Sequence, residues 1–507
     1  MLNGFIKNRI LQQLPFEANE GQKELLDKLS QFIISPTPRK AFILRGYAGT
    51  GKTSIMAALV GAMQELNQRI VLLAPTGRAA KVLSKYAHTP AYTIHKYIYR
   101  ARTKSAPSVE DASSRLQFRG KELFTLRDNL HKNTLFIVDE ASMISGDGQW
   151  AMGNGQALFG SGNLLDDLVR FVYSSEGCSL LLLGDDAQLP PVGSTQSAAL
   201  SEEYMSGYQL DIQSHTLTEV ARQALDSGIL ANATRLRPLA VGSSEVQKFR
   251  SLGVQEDTFW DLLEFGEDVC TVSGTELLEA LEQSYNEVGE EETILLTRTN
   301  KRTNIYNQGI RTRILWKEEE IGSGDRVMVT KNNYYWSEKY DDLPFLANGD
   351  MLEVVRLRNE REMYGYHFAD AQLRSVDYEW EIDTILWLDT MHSDNPEANN
   401  LMHKELFAKI AEDYPEFQHN RKKLVEAVYA SPYYNALQVR MAYAITGHKS
   451  QGGQWARVFI DPYIGSQPTP NPSLKGRELD SEIKSFYRWL YTAITRATSK
   501  VYFIKNK

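Results

Sequence analysis

The sequence has almost no cysteine: Cys178 and Cys270 are the only two in 507 residues. They stand far apart in apolar or strand-like surroundings. That spacing excludes a disulfide framework and a thiolate zinc site, and it fits a reducing, cytoplasmic compartment. Long apolar runs are missing as well, and none approaches the ~20 residues needed to span a bilayer. The N-terminus, MLNGFIKNRILQQL, alternates polar with apolar residues and carries no cleavage-site pattern, so no signal peptide is expected. Nor is there an excess of positive charge. A net charge of −8 argues against indiscriminate binding to polyanions, yet a local basic groove is compatible with it. No repeat of fixed period is visible. What remains, 42% apolar and 24% charged, describes a soluble globular chain. It is too long for one ordinary core and is expected to form three or four domains.

One stretch is dense in chemistry. GYAGTGKT, Gly46 to Thr53, follows the apolar run Ala41-Phe42-Ile43-Leu44 and precedes SIMAALVGAMQEL, which has helical apolar spacing. Strand, glycine-bearing turn and helix start in this order form a phosphate cradle. Gly46, Gly49 and Gly51 let successive N–H groups face the β- and γ-phosphates at the positive end of the helix. Ala48, Thr50 and Ser54 complete the cradle, Lys52 brings a mobile positive charge, and the Thr53 hydroxyl is a natural Mg²⁺ ligand. A nucleoside triphosphate site is expected, with ATP and Mg²⁺.

Upstream, residues 5–34 read as two amphipathic helices broken near Leu14-Pro15, and Gln22 in the second can read an adenine edge. Downstream, the strand Ile70–Leu73 runs into APTGRAAKVLS, where Thr76, Gly77 and Arg78 can grip a phosphodiester. Thr93, His95 and Lys96 add a polar, basic surface. Residues 101–125 form a polar excursion, expected as a hairpin, in which Phe118 is either an exposed aromatic with a function or a residue tucked beneath the loop. Leu135–Val138 then ends in Asp139-Glu140. Two carboxylates at the end of a buried strand suit a Mg²⁺ ligand (Asp139) and a base for the attacking water (Glu140). The following segment holds six glycines and reads as a loop. Leu180–Leu183 ends in GDDAQLPPVG, with Gln188 a candidate γ-phosphate sensor, and Arg222 and Gln223 follow where the next domain begins.

A second α/β unit opens with TILLT (293–297), Arg298-Thr299-Asn300 and a helix to about Arg313. Its remaining strands are expected only after residue 438, in VRMAYAIT, RVFID and KVYFI. Residues 318–437 are therefore an insertion: strand-like runs around turns, expected as a small barrel, then charged helices near 397–430. This unit lacks a phosphate loop of its own. One complete site on two α/β units places ATP between them, with Arg222 and Arg496 reaching across. ITGHKSQGGQW, with Thr446, His448, Lys449, Ser450 and Gln451, is a second polar loop suited to a sugar–phosphate backbone.

GYAGTGKT, LAPTGRAA, TIH, DEASM, GDDAQLPPV, LTEVARQ, TRTN, TGHKSQG and YTAITRA, in this order, resemble the motifs of superfamily 1B DNA helicases of the Dda-like and RecD-like kind. The resemblance covers nearly the whole chain. It implies a RecA-like P-loop domain at 1–216 with a pin-like insertion at about 96–130. A second RecA-like domain is implied at 217–317 and 438–507, with an SH3-like β-barrel and helices inserted at 318–437. It also implies an ATP-dependent helicase moving 5′ to 3′ on single-stranded DNA. The alternative is an ATP-gated DNA clamp or adaptor without autonomous unwinding. The residues do not themselves choose DNA over RNA.

By resemblance, Lys52, Glu140, Gln188, Arg222 and Arg496 are catalytic, Gln22 reads adenine, and Thr53 and Asp139 hold the metal. Pro75, Thr76, Gly77, Arg78, His95, Lys96, Phe118, Pro190, Thr299, Asn300, Thr446, His448, Lys449, Ser450 and Gln451 contact the strand. Phe118 is the expected wedge. The expected partners are single-stranded DNA, duplex junctions, and single-strand-binding or replication and recombination proteins. No membrane is expected, and the working unit is a monomer.

Overall fold

A computed structural model describes residues 2–101, 123–146, 158–221, 227–242, 256–340, 343, 345–393, 396–462 and 477–505. Phe118 and Arg222, the glycine-rich segment after Gly146 and residues 463–476 lie outside the described residues.

The first lobe is built on strands β1 (Lys40–Gly46), β2 (Arg69–Ala74), β3 (Ala91–Thr93), β6 (Thr134–Val138), β8 (Ser179–Gly184) and β9 (Asp211–Leu217). Between them run β4 (Tyr99–Ala101), β5 (Leu123–Leu126) and β7 (Leu158–Phe159). The six-stranded sheet has the order β3-β2-β6-β8-β1-β9 and is parallel throughout. Its strands read as unbroken apolar runs because both faces are covered. Ala41, Ile43, Phe136, Val138, Leu180 and Leu182 pack into one core. Phe42, Leu44, Leu135, Ile137, Leu181 and Leu183 pack into the other, beneath the helices Leu2–Gln13, Glu20–Ile34 and Lys52–Glu65. The polar excursion is anchored by β4, antiparallel to β5, which pairs in turn with β7.

The second lobe carries a parallel sheet, β10 (Val269–Ser273), β19 (Ala497–Lys505), β18 (Trp455–Ile460), β11 (Thr293–Thr297) and β17 (Ala444–Thr446), in that order. Not all its further strands come after residue 438, as the sequence reading expected: Val269–Ser273 precedes TILLT. Cys270 and Thr271 together interrupt its two valines and hide a strand that is only partly buried.

The insertion holds β12 (Arg326–Val329), β13 (Met351–Met363), β14 (Tyr366–Ser375), β15 (Glu381–Trp387) and β16 (Val439–Met441), in the antiparallel order β15-β14-β13-β12-β16. A bridge between Leu386 and Leu437 joins the two ends, with Leu437 N–H donating to Ile385 at 2.7 Å and Trp387 N–H donating to Leu437 at 3.0 Å. The sheet is thereby closed at this point into a small barrel. The run VRMAYAIT, expected whole in the second lobe, is divided. Val439–Met441 closes the barrel, and only Ala444–Thr446 joins the parallel sheet. The barrel interior (Val327, Leu352, Val354, Leu373) is continuous with Leu295, Ala444 and Phe459 of the second lobe. The helices Pro396–Ala411 and Arg421–Tyr429 pack on the barrel through Leu406, Ile410 and Val428 against Phe368 and Trp387.

Candidate nucleotide and nucleic-acid site

The carboxyl ends of β1, β6 and β8 converge where open parallel sheets place ligands. A cavity of about 350 Å³ opens there, lined by Ala48, Gly49, Gly51, Lys52, Thr53, Ser54, Asp139, Glu140, Asp185 and Gln188 of the first lobe. The second lobe supplies Leu230, Gln454, Thr495 and Arg496. Gly49 and Gly51 have φ of +74° and +84°, a conformation that side chains avoid. A Cβ at Gly51 would also lie 2.8 Å from Gln22 Nε2, so this backbone can be taken only by glycine.

Lys52 folds back into the loop, its ammonium donating to the carbonyls of Gly46 and of Tyr47, the latter at 2.9 Å. Gly46 and Thr50 support the cradle from behind and do not line the cavity. A Cβ on Gly46 would meet the Lys52 stem, and the buried Thr50 donates its hydroxyl to Tyr47 at 2.8 Å. Gln22 stands at the start of its helix in a capping box with Asn19. Its amide oxygen accepts from Asn19 N–H at 3.0 Å and its amide nitrogen donates to Thr50 at 3.0 Å. The amide expected to read adenine is thus already engaged on both sides, bracing the phosphate loop.

Asp139 and Glu140 sit side by side. Burial raises both carboxyls, opposed at Asp139 by the Glu140 N–H, Lys52 and Arg496, and at Glu140 by Arg496 first. Glu140 holds a left-handed backbone (φ 52°), with its N–H donating to Asp139 Oδ1 at 2.9 Å. Arg496, at the end of the helix Arg477–Ile494, lies 3.8 Å from Glu140 and is only 4% exposed. Its Nε donates to Thr492 at 3.1 Å and its Nη1 to Gly453 at 3.3 Å, which fixes the fork toward the cavity. Gln188 is buried with its amide oxygen unpaired.

The two polar loops face each other across the same lobe boundary. Thr76 caps the helix Gly77–Ala87 by accepting from Ala79 N–H. A Cβ on Gly452 would come 3.1 Å from the Thr76 hydroxyl, so the loops are in contact. Thr299 caps the helix Asn300–Arg313, is exposed, and stands with Asn300 at the end of β11. His448 and Lys449 reach solvent, while Thr446, Pro75 and Pro190 are half-buried. Crowding by the cleft walls, with Arg440 adding to it, pushes Lys449 down to about 8, and its ammonium donates to Asn348 Oδ1 of the barrel at 2.6 Å.

Several expected strand contacts are turned inward. Arg78 does not face a groove: its guanidinium stacks 4.4 Å from the Trp455 ring, donates to Gln454 at 3.2 Å and lies 3.8 Å from Asp377 of the barrel. Planar stacking and an ion pair hold it as an interlobe strut. Gly77 is buried beneath Tyr378. Ser450 is fully buried, donating to Gly447 at 2.8 Å, and the buried Gln451 crosses to the first lobe. His95 lies in an aromatic cluster with Tyr99, Phe159 and Phe345, its edge still partly accessible. Lys96 lies 5.8 Å above the Tyr378 ring. Sequence reasoning missed Asp185, although its doubled carboxylate at a strand end repeats the Asp139-Glu140 pattern. It also missed Tyr491, a residue with no spacing signal of its own.

Residues 17–152 match the family described as AAA domain, and residues 441–504 match the UvrD-like helicase C-terminal domain. Uncharacterized protein R530 of Acanthamoeba polyphaga mimivirus is 24% identical over 96% of this chain and 99% of its own length. The ATP-dependent DNA helicase dda of Enterobacteria phage T4 is 23% identical over 96% of this chain and 99% of its own length. Among solved structures, Pif1 helicase from Candida albicans matches at 15% identity and a TM-score of 0.41, covering 97% of this chain and 94% of that one. Bacteroides Pif1 with ADP-AlF3 and ssDNA matches at 15% and 0.43, covering 96% and 92%. With a first lobe like an AAA domain, a last segment like a UvrD-like C-terminal domain and a full-length likeness to dda, the chain resembles the superfamily 1B helicases.

Proposed function

We propose that this protein is an ATP-dependent DNA helicase that moves 5′ to 3′ along one strand and separates duplex ahead of it. The observation that carries the reading is Arg496: an arginine of the second lobe held 3.8 Å from Glu140 of the first, inside the cavity that Lys52 and Thr53 line. The phosphate-loop amides and Lys52 hold the phosphates. Glu140, whose carboxyl is raised by burial, orients water and takes its proton. Arg496 meets charge on the departing phosphoryl group only when the lobes are close, which ties hydrolysis to closure. The donor set fits a divalent cation: two half-buried adjacent carboxylates and the Thr53 hydroxyl share one cavity. Bound there, Mg²⁺ would be held by Thr53 and Asp139 and would neutralise phosphate charge.

Thr76 with His95 on one lobe, and Thr446, His448, Lys449 and Thr299 on the other, are the alternating grips on the strand. Opening and closing the cleft shifts one set against the other. DNA is the substrate we favour, on the likeness to dda. The protein acts as a monomer, and its two free thiols suit the cytoplasm. Among the described residues, no helix is long and apolar enough to cross a membrane.

The test is ATP turnover with and without single-stranded DNA, paired with unwinding of 5′- and 3′-tailed duplexes. Lys52→Ala is expected to abolish turnover and keep strand binding; turnover retained in that variant refutes the site. Turnover without strand separation on either tail assigns the ATP-gated clamp instead.

A further inference from the structure

One buried hydroxyl sits where the phosphate loop and both lobes meet. Tyr491, on the helix Arg477–Ile494, is 1% exposed. Its oxygen accepts from the Ala48 N–H at 2.8 Å and donates to Asp185 Oδ2 at 2.8 Å. Asp185 is equally buried, and its other oxygen accepts from the Ala187 N–H at 2.9 Å. Three segments therefore share one phenol: the limb of the phosphate loop between Gly46 and Gly49, the strand end leading to Gln188, and the helix Arg477–Ile494 that leads to Arg496.

The downstream link is short. The Tyr491 carbonyl accepts from Thr495 N–H at 3.1 Å, and the next residue, Thr492, accepts from Arg496 Nε at 3.1 Å. The ring supplies bulk to the second lobe's core, which Ala48 and Tyr47 touch from the other side. A phenylalanine would supply that bulk equally. Among the described residues the hydroxyl makes two hydrogen bonds, and burial with Asp185 beside it keeps it a neutral phenol, able to accept and donate at once.

We propose that Tyr491 is a positioning residue for ATP hydrolysis, whose hydroxyl holds the phosphate loop, the Asp185–Gln188 segment and the Arg496 helix in one register. It touches no reacting atom. It acts through Arg496 and Gln188, by fixing where both stand relative to Lys52. The proposal rests on the nucleotide site described above.

Tyr491→Phe in the full chain tests it, with ATP turnover measured against ATP concentration at saturating single-stranded DNA. The expected result is a kcat about ten-fold lower with KM changed less than about two-fold, the pattern of an interaction that matters in the transition state. Asp185→Asn perturbs the same bond from its other end and is expected to lower kcat in the same way, and the double variant to lose less than the product of the two losses. Should Tyr491→Phe fold poorly, Asp185→Asn alone carries the test. Unchanged kcat in the folded variant overturns the proposal, as does a loss seen only as a lower melting temperature, or two effects that multiply in full. Lys52→Ala run alongside separates the failures. Turnover retained there sinks the nucleotide site itself, whereas turnover lost there with Tyr491→Phe unimpaired sinks only the role of the tyrosine.

Discussion

The side-chain amide of Gln451 donates to the carbonyl of Leu189 at 2.6 Å, across the boundary between the two lobes. The N–H of the same leucine donates to the hydroxyl of Thr492 at 2.9 Å. Both backbone groups of the residue after Gln188 are thus gripped by the second lobe, one from the polar loop and one from the arginine-bearing helix. On the proposed reading, a strand that displaces the 446–451 loop would pull directly on the residue beside Gln188.

Gln451→Leu keeps the volume and leaves the buried Leu189 carbonyl without a partner, at a cost of about 1–3 kcal/mol. We expect the DNA-stimulated rate of ATP hydrolysis to fall about ten-fold toward the unstimulated one. A titration of single-stranded DNA against turnover measures it. An undiminished stimulation would show that Gln451 only packs.

Arg496→Lys keeps a positive charge but loses the planar fork that bonds Thr492 and Gly453 while facing Glu140. Turnover is expected to fall by at least about 10²-fold, less than the ~10³–10⁵ that complete loss of a trans-acting arginine costs, because the charge is kept. Nucleotide binding, followed by fluorescence of a labelled analogue, is expected to weaken far less.

Phe345 of the insertion packs 5.3 Å from Phe159 and 5.3 Å from Tyr334, and Phe124 stacks 4.7 Å from Phe159. These rings join the base of the polar excursion to the barrel. Phe124, 2% exposed, is the buried centre of the group. Phe124→Ala opens a cavity costing about 3–5 kcal/mol, which is expected as a clear drop in the midpoint of urea unfolding, with Phe124→Leu losing much less.

Burial holds His95 neutral down to about 4, whereas an unfolded chain protonates histidine near 6.5. Between those values the unfolded form binds more protons, so stability falls as the pH falls through that window and is unaffected by His95 above it. His403, depressed to about 3 by burial and then by Lys331, acts in the same sense. Melting temperatures from pH 7 to pH 4 are expected to decline less steeply in His95→Phe. An identical slope would place the dependence elsewhere.

The buried parallel strands were legible because an apolar run of four to six residues ending in a glycine or a carboxylate has few other meanings. Lys52, Asp139, Glu140, Gln188 and Arg496 could be picked out for the same reason, each standing beside such a run, and they do share one cavity. What could not be read was direction. Thr76-Gly77-Arg78 and Ser450-Gln451 have the composition of a phosphate grip. Which of them face the groove and which brace the lobes depends on Trp455, Asp377 and Tyr378, distant in sequence. The strand Val269–Ser273 escaped notice because half its residues are polar, and VRMAYAIT concealed a passage from one sheet to another within a single run.

Only Ala442 and Tyr443 separate the strand that closes the barrel from the strand that enters the second lobe, and the two share one apolar interior. Such a joint has no slack. The barrel must travel with its lobe, and its turn at Val376–Tyr378, at the same end of the sheet as this joint, leans on Gly77 and Lys81 of the first lobe. On the proposed reading, any change of angle at the nucleotide cleft would therefore be carried by lobe and barrel together and be felt at this contact, where the barrel meets the first lobe.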